Sequence, residues 1–168
     1  MRVILSIIFF LNLNFSFSQS VTNKLKSFNS FKAGEKLEYK LQYGFLNASY
    51  ASLTLKEDLV NNKKVLRATS IGRTTGLARL FFKVDDTYET FFSFDKVQPL
   101  KSIRDIYEGG YVRNAETLYD YKSNTALFHD KIKNIKKEFK IHPEIQDIIS
   151  TFYYCLLYTS DAADESLC

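Results

Sequence analysis

The chain has 168 residues, a length typical of one domain rather than two. Its residues are 45% hydrophobic and 25% charged, with a formal net charge of +4, which excludes disordered and collagen-like classes. The 15% aromatic share comes from Phe and Tyr alone, and this enrichment favours strands.

The N-terminus has the three parts of a secretory signal peptide. Arg2 is the basic start, residues 3–11 form an apolar run, and residues 16–18 give a small-x-small cleavage pattern. A membrane anchor is the alternative, but a span needs about 20 mostly apolar residues and two asparagines interrupt this run. We therefore expect residues 1–18 to be removed. The protein is then exported, periplasmic or associated with the outer membrane, with no transmembrane span after cleavage.

The first half of the chain alternates between apolar and polar residues. After a polar lead-in over residues 19–33, the alternation predicts strands at 37–43, 51–55 and 65–71, joined as an antiparallel meander. Apolar residues then recur at three- and four-residue steps, which predicts a short helix within residues 72–84, with an irregular loop as the alternative. The residues on these steps are Leu77, Leu80, Phe81 and Val84.

The second half repeats the strand pattern and ends in a helical one. Strands are predicted at 87–94, 102–107, 111–121, 125–129 and 136–141, with paired glycines at the turn before residue 111. Pro143 suits the first turn of a helix, on which Asp147 and Ser150 should face outward. The fold class is therefore mainly β: an antiparallel curved sheet or partial barrel with one or two short helices.

The C-terminal 14 residues, 155–168, break the local pattern. They resemble the translation of a transposase sequencing adapter, so we expect a foreign tail and a natural protein that continues beyond residue 154; a genuine short tail is the alternative. Both cysteines lie in this tail. Residues 34–154 are then the N-terminal part of a single β-rich domain, incomplete at its C-terminus, without a thiol for a disulfide, zinc or catalysis.

Several short motifs, in order, resemble the domain-of-unknown-function 3108 family. They are Phe31-Lys32-Ala33-Gly34-Glu35-Lys36-Leu37-Glu38-Tyr39 with Tyr43-Gly44 and Ala48, then Pro99-Leu100-Lys101-Ser102, Glu108-Gly109-Gly110-Tyr111 and Asp147-Ile148-Ile149-Ser150-Thr151-Phe152-Tyr153-Tyr154. The resemblance covers about residues 31–154. It implies an exported envelope protein of Gram-negative bacteria, common in Bacteroidetes, whose domain continues with more strands. The family carries no assigned reaction or site residue.

The residue types that carry chemistry are sparse. The two histidines, His129 and His142, lack the partners that a general base or metal ligand needs. Asp85, Asp86 and Glu89 could offer oxygen ligands to Ca²⁺, but the spacing of a calcium-binding loop is absent. We predict no catalytic residue, metal or cofactor, and a non-enzymatic function rather than an enzyme.

Two residue sets are candidates for binding. Aromatic side chains on predicted strands could line an apolar, lipid-like ligand, although they are equally the contents of a β core: Tyr39, Tyr43, Tyr88, Phe92 and Tyr107. A basic run could contact an anionic surface or an envelope protein, or simply form a solvated edge strand: Lys131, Lys133, Lys136, Lys137 and Lys140. Export argues against nucleic acid as a partner. The sequence thus predicts a binding domain for an apolar envelope component, with a protein-interaction module as the alternative.

Overall fold

Eight antiparallel strands form one open sheet. The computed structural model describes residues 30–165, and for Tyr43 and residues 160–165 the backbone alone; the predicted signal peptide and residues 19–29 of the lead-in lie outside this range. The strands are β1 (Lys36–Tyr43), β2 (Leu46–Val60), β3 (Lys63–Thr74), β4 (Val84–Phe92), β5 (Pro99–Glu108), β6 (Tyr111–Asp120), β7 (Thr125–Asp130) and β8 (Ile135–Lys140). Their order in the sheet is their order in the chain, with β1 and β8 at the two edges. The mainly β prediction is confirmed.

The connections of this meander alternate between two ends of the sheet. We call upper the end with connections 44–45, 75–83, 109–110 and 131–134, and lower the end with connections 61–62, 93–98, 121–124 and 141–147. Several tight turns use residues with positive φ: Asn61 and Asn62 have φ of 50° and 61°, and Gly109 has φ of 54°. Asparagine and glycine tolerate this left-handed conformation, which is why the strand breaks were visible in the sequence.

Strand register divides the side chains between two faces. Leu55, Ala68 and Thr90 are aligned across β2, β3 and β4, and the row continues to Ser102 on β5. A helix packs on this side, which we call the helix-bearing face. Successive residues of a strand point to opposite sides, so Arg67, Glu89 and their neighbours lie on the opposite face.

The core lies between the helix-bearing face and helix α2 (Ile148–Glu165). Phe92 and Leu55 are fully buried, and Phe92 packs against Tyr153 of the helix with ring centroids 5.3 Å apart. Phe31, just before β1, closes the cluster at 5.0 Å from Tyr153. Burying each such side chain contributes about 1.5–3 kcal/mol, so the helix is held mainly by this cluster.

The start of α2 corrects two predictions. The helix begins at Ile148, and Pro143 lies in a turn ahead of it rather than in the first helical turn. Asp147 and Ser150 are buried and do not face outward. The backbone N–H of Ser150 donates to Asp147 Oδ1 at 2.9 Å, and the N–H of Asp147 donates to Ser150 Oγ at 2.8 Å. The two side chains cap the helix, and the cap sits against the sheet.

The predicted short helix is confirmed as α1 (Gly76–Phe81), but none of its residues is buried. Helix α2 is longer than the short helix expected, and it continues through residues 155–165. The foreign origin of residues 155–168 stays a prediction.

Candidate binding surfaces

The structure separates the predicted aromatic set. Tyr39, Tyr88 and Phe92 belong to the helix-bearing face, whereas Tyr107, paired with Asp85, lies on the opposite face below Lys83. Phe92 is a core residue with no exposed surface. The side chain of Tyr43 lies outside the described part of the chain. Tyr39 and Tyr88 are therefore the two members of the set that share a face and can reach a ligand.

Tyr39 belongs to an exposed strip on the edge strand β1. Leu37, Tyr39 and Leu41 alternate along the helix-bearing face, and Tyr39 and Leu41 are 56% and 64% exposed. Leu37 is paired with Leu53, which packs against the core cluster. We call these three side chains the β1 strip. The alternation of Leu37 and Leu41 with polar residues predicts the strand. Their exposure could not be predicted, because it depends on where α2 packs on the sheet.

Tyr88 packs against the core cluster on one side and has charged groups near it on the other. Burial, followed by the nearby carboxylates of Asp86 and Glu108, raises the pKa of Tyr88, so its hydroxyl stays protonated. Burial also raises the pKa of Asp86, whose Oδ1 accepts a hydrogen bond from the Tyr107 backbone N–H at 3.1 Å. Arg104 is aligned with Tyr88 on the next strand. This part of the face could hold the polar group of a ligand.

The acidic cluster of the sequence is divided between the two faces of the sheet, and Asp85 and Glu89 form ion pairs. Asp85 lies on the opposite face, where Arg79 donates to both of its oxygens at 2.9 and 2.6 Å. This hydrogen-bonded guanidinium lowers the pKa of Asp85. Glu89 accepts a hydrogen bond from Arg67 at 2.5 Å. Because Asp86 lies on the helix-bearing face, the three carboxylates do not converge.

The histidines are also apart. His129 is half-buried on β7, where it is paired with Glu116 and Lys136. His142 Nδ1 accepts a hydrogen bond from the Glu144 backbone N–H at 3.2 Å in the lower turn. Within residues 30–165, no three His, Cys, Asp or Glu side chains are grouped so that they could hold a metal ion.

The predicted basic run forms the far edge of the sheet. All six residues of β8 are exposed, and its outer side has no strand partner among the residues described. Lys131 lies within 3.5 Å of Glu116 Oε2 and is thereby drawn toward the sheet. Lys136 and Lys140 project to one face and Lys137 to the other, so the charge surrounds the edge instead of forming one patch.

Two cavities bear on the prediction of an enclosed ligand. One, between Thr90, Ser102 and Asp147, has a volume of about 10 Å³, roughly the smallest that holds one water. The other is an open depression of about 270 Å³ on the opposite face, beside Leu118 and Leu127. Ligand pockets usually measure about 300–1,000 Å³. Neither cavity is an enclosed apolar pocket of that size.

The described chain is thus an open β-meander with one helix packed on a face. Residues 38–165 match the model of the family described as "Protein of unknown function (DUF3108)", so the chain belongs to this family, as its motifs predicted. No curated protein and no solved structure matches the chain. Among the described helices, none is both long and apolar enough to cross a bilayer.

Proposed function

We propose that this protein is an exported, non-enzymatic domain that binds an apolar or lipid-like component of the cell envelope on the β1 strip. The observation that carries the proposal is the exposure of Leu37, Tyr39 and Leu41 side by side on the helix-bearing face. An edge strand with three such side chains is costly in water unless something covers it.

The shape of the strip favours an extended ligand. Leu37 and Leu41 are four residues apart on one strand, which corresponds to about 13 Å at 3.3 Å per residue. Tyr39 stands between them and offers a phenolic hydroxyl beside its apolar ring. The strip borders the core through Leu53, so an acyl chain on it would extend an existing apolar surface.

A fluorescent fatty acid tests this proposal. Titration of the full-length chain with 11-(dansylamino)undecanoic acid should give saturable dansyl enhancement, because the dansyl group leaves water on binding. The double variant Tyr39→Ser with Leu41→Ser should lose most of this enhancement.

The matched control is Leu118→Ser with Leu127→Ser. These two leucines are each 42% exposed on the opposite face, so the control removes similar apolar surface elsewhere. Binding should survive in the control. Equal loss in both variants, or no saturable binding by the parent chain, would make the proposal wrong.

The second candidate is a protein-interaction module docking through the lysine-rich edge. It is favoured by the outer side of β8, which has no strand partner within residues 30–165, since an open strand edge can accept a strand from another chain. A photo-crosslinking residue is placed at Lys140, and the chain is expressed in cells that export it to the envelope. Irradiation should then yield one discrete adduct with an envelope protein. The same residue in place of exposed Asp105, which has strand partners on both sides, should yield none. The absence of a Lys140 adduct counts against this candidate.

A further inference from the structure

The upper end of the sheet carries an unusual set of exposed apolar side chains. Phe45, Leu80 and Phe81 are 95%, 80% and 88% exposed, and Leu77, Phe82 and Ile132 are each more than half exposed. All six lie on or beside the turns and not on a sheet face. The lower connections contain no large apolar side chain of comparable exposure, and Val97 there is fully buried. Beside the lower connections, Leu59 and Ile148 are 61% and 64% exposed, so the ends differ in the number of exposed apolar side chains that their connections carry.

Charge differs between the ends in the same way. The four upper connections contain four basic residues and no acidic one: Arg79, Lys83, Lys131 and Lys133. The lower connections contain acidic Asp95, Glu144 and Asp147 with basic Lys96 and Lys122. The end that exposes apolar side chains is thus also the end with a positive balance.

The fold holds these apolar side chains outward. The Thr75 backbone N–H donates to the Ala48 carbonyl at 3.0 Å, which fixes α1 beside the first hairpin. The Gly109 N–H donates to the Lys83 carbonyl at 2.8 Å, which ties the end of the same connection to β5. Arg79, the one polar side chain within α1, is turned back to Asp85. These hydrogen bonds hold connection 75–83 in place, with Leu80 and Phe81 exposed to solvent.

We propose that the upper end docks onto the surface of a bilayer that contains anionic lipids. Leu80 and Phe81 enter the interface, while Lys133 contacts anionic headgroups. Lys83 and Lys131, which lie 3.6 and 3.5 Å from Asp85 and Glu116, add positive charge beside it. Apolar side chains with flanking basic residues are the combination that binds proteins to such interfaces, and headgroup attraction adds to apolar burial. This inference does not depend on the β1 strip, which lies on a sheet face.

A single tryptophan tests the docking, because the chain contains none. The variant Phe81→Trp places the probe at the upper end, and Phe139→Trp places a matched probe at a half-exposed position toward the lower end. The full-length chain is mixed with vesicles of equal parts phosphatidylglycerol and brominated phosphatidylcholine. The emission of F81W should shift to the blue and lose most of its intensity, because bromine quenches only a probe within the bilayer. The emission of F139W should change little.

Quenching reports whether the tryptophan itself lies within the bilayer. Vesicle binding through residues 1–29 would therefore leave F81W unquenched. Pure brominated phosphatidylcholine, or high salt, should reduce the F81W quenching because the headgroup attraction is lost or screened. An F81W emission that stays water-like in the presence of vesicles would overturn the proposal. A blue shift that depends on protein concentration and needs no vesicles would overturn it as well, since it would show contact between copies of the chain. F81W carrying the strip variant Y39S/L41S should dock unchanged, which separates this test from that of the proposed function.

Discussion

Thr90, near the end of β4, donates a hydrogen bond to the carboxylate of Asp147, at 2.9 Å from each oxygen, across 57 residues of sequence. Asp147 is also the N-cap of α2, so one buried carboxylate joins the helix start to the sheet. A buried charged group needs such partners, because an unpartnered one is costly. The angle at which α2 leaves the sheet is therefore set at this contact.

Removal of the Thr90 hydroxyl should weaken the fold. Thr90→Val keeps the shape but leaves Asp147 with fewer donors, so we expect a loss of about 1.5–3 kcal/mol in the free energy of unfolding. Asp147→Ala should cost more, because it also removes the helix cap, itself worth about 1 kcal/mol. Urea denaturation measures both. Thr87→Val, on the opposite face, is the control, and an equal effect of T87V and T90V would contradict this role.

Substitution of Phe92, the central aromatic residue of the core, should lower the free energy of unfolding strongly. Phe92→Ala removes a fully buried ring that contacts Phe31 and Tyr153, and should lower the free energy of unfolding by about 3–5 kcal/mol. Phe81→Ala removes the same ring from an 88% exposed position and should change stability by about 0.5 kcal/mol or less. Thermal unfolding of the two variants under one condition checks the contrast. Similar losses would mean that Phe81 packs against something.

Gly109 should tolerate alanine only if its neighbour moves. Its φ is 54°, and a Cβ there would lie 2.2 Å from the Phe82 ring. Gly109→Ala should therefore combine the cost of left-handed backbone, about 1–2 kcal/mol, with displacement of Phe82. In a Phe82→Ala background the second part should vanish. Denaturation of the two single variants and the double variant measures this coupling, and strictly additive effects would show that there is no clash.

Alkaline pH should destabilise the protein through Tyr153. Burial raises the pKa of Tyr153 to about 12, from an ordinary value of 10. The unfolded chain then loses this proton first, so the folded state binds more protons and stability falls as pH rises from about 10 to 12. Below pH 10 this contribution is fully present.

Stability measured across this alkaline range in the parent chain and in Tyr153→Phe checks the effect. The variant should show a shallower decline than the parent. Tyr111→Phe, at an exposed position near the upper end, is the control and should decline like the parent. If the stability of Y153F declined with pH in parallel with that of the parent, groups other than Tyr153 would be responsible for the loss of stability.

Much of the fold could be read from local pattern. The alternation in residues 37–43 and 65–71, the glycines before Tyr111 and the helical steps of Leu77, Leu80 and Phe81 each predicted the element that is found. Such signals are short-range, because pleat, turn conformation and helical period act between residues a few positions apart. The family resemblance could be read in the same way, from motifs in order.

The surfaces could not be read so directly. Tyr88 and Tyr107 both lie on strands, but the register of β4 against β5 places them on different faces. Leu80 and Phe81 have helical spacing, yet no described element covers them. Helical spacing predicts that Asp147 faces outward, and no local pattern indicates its contact with Thr90, 57 residues away. The sequence by itself determined the elements and their order, since these depend on local backbone preferences. Only the tertiary structure decided which side chains are covered, because that depends on where α2 crosses the sheet and on contacts between residues far apart in the chain.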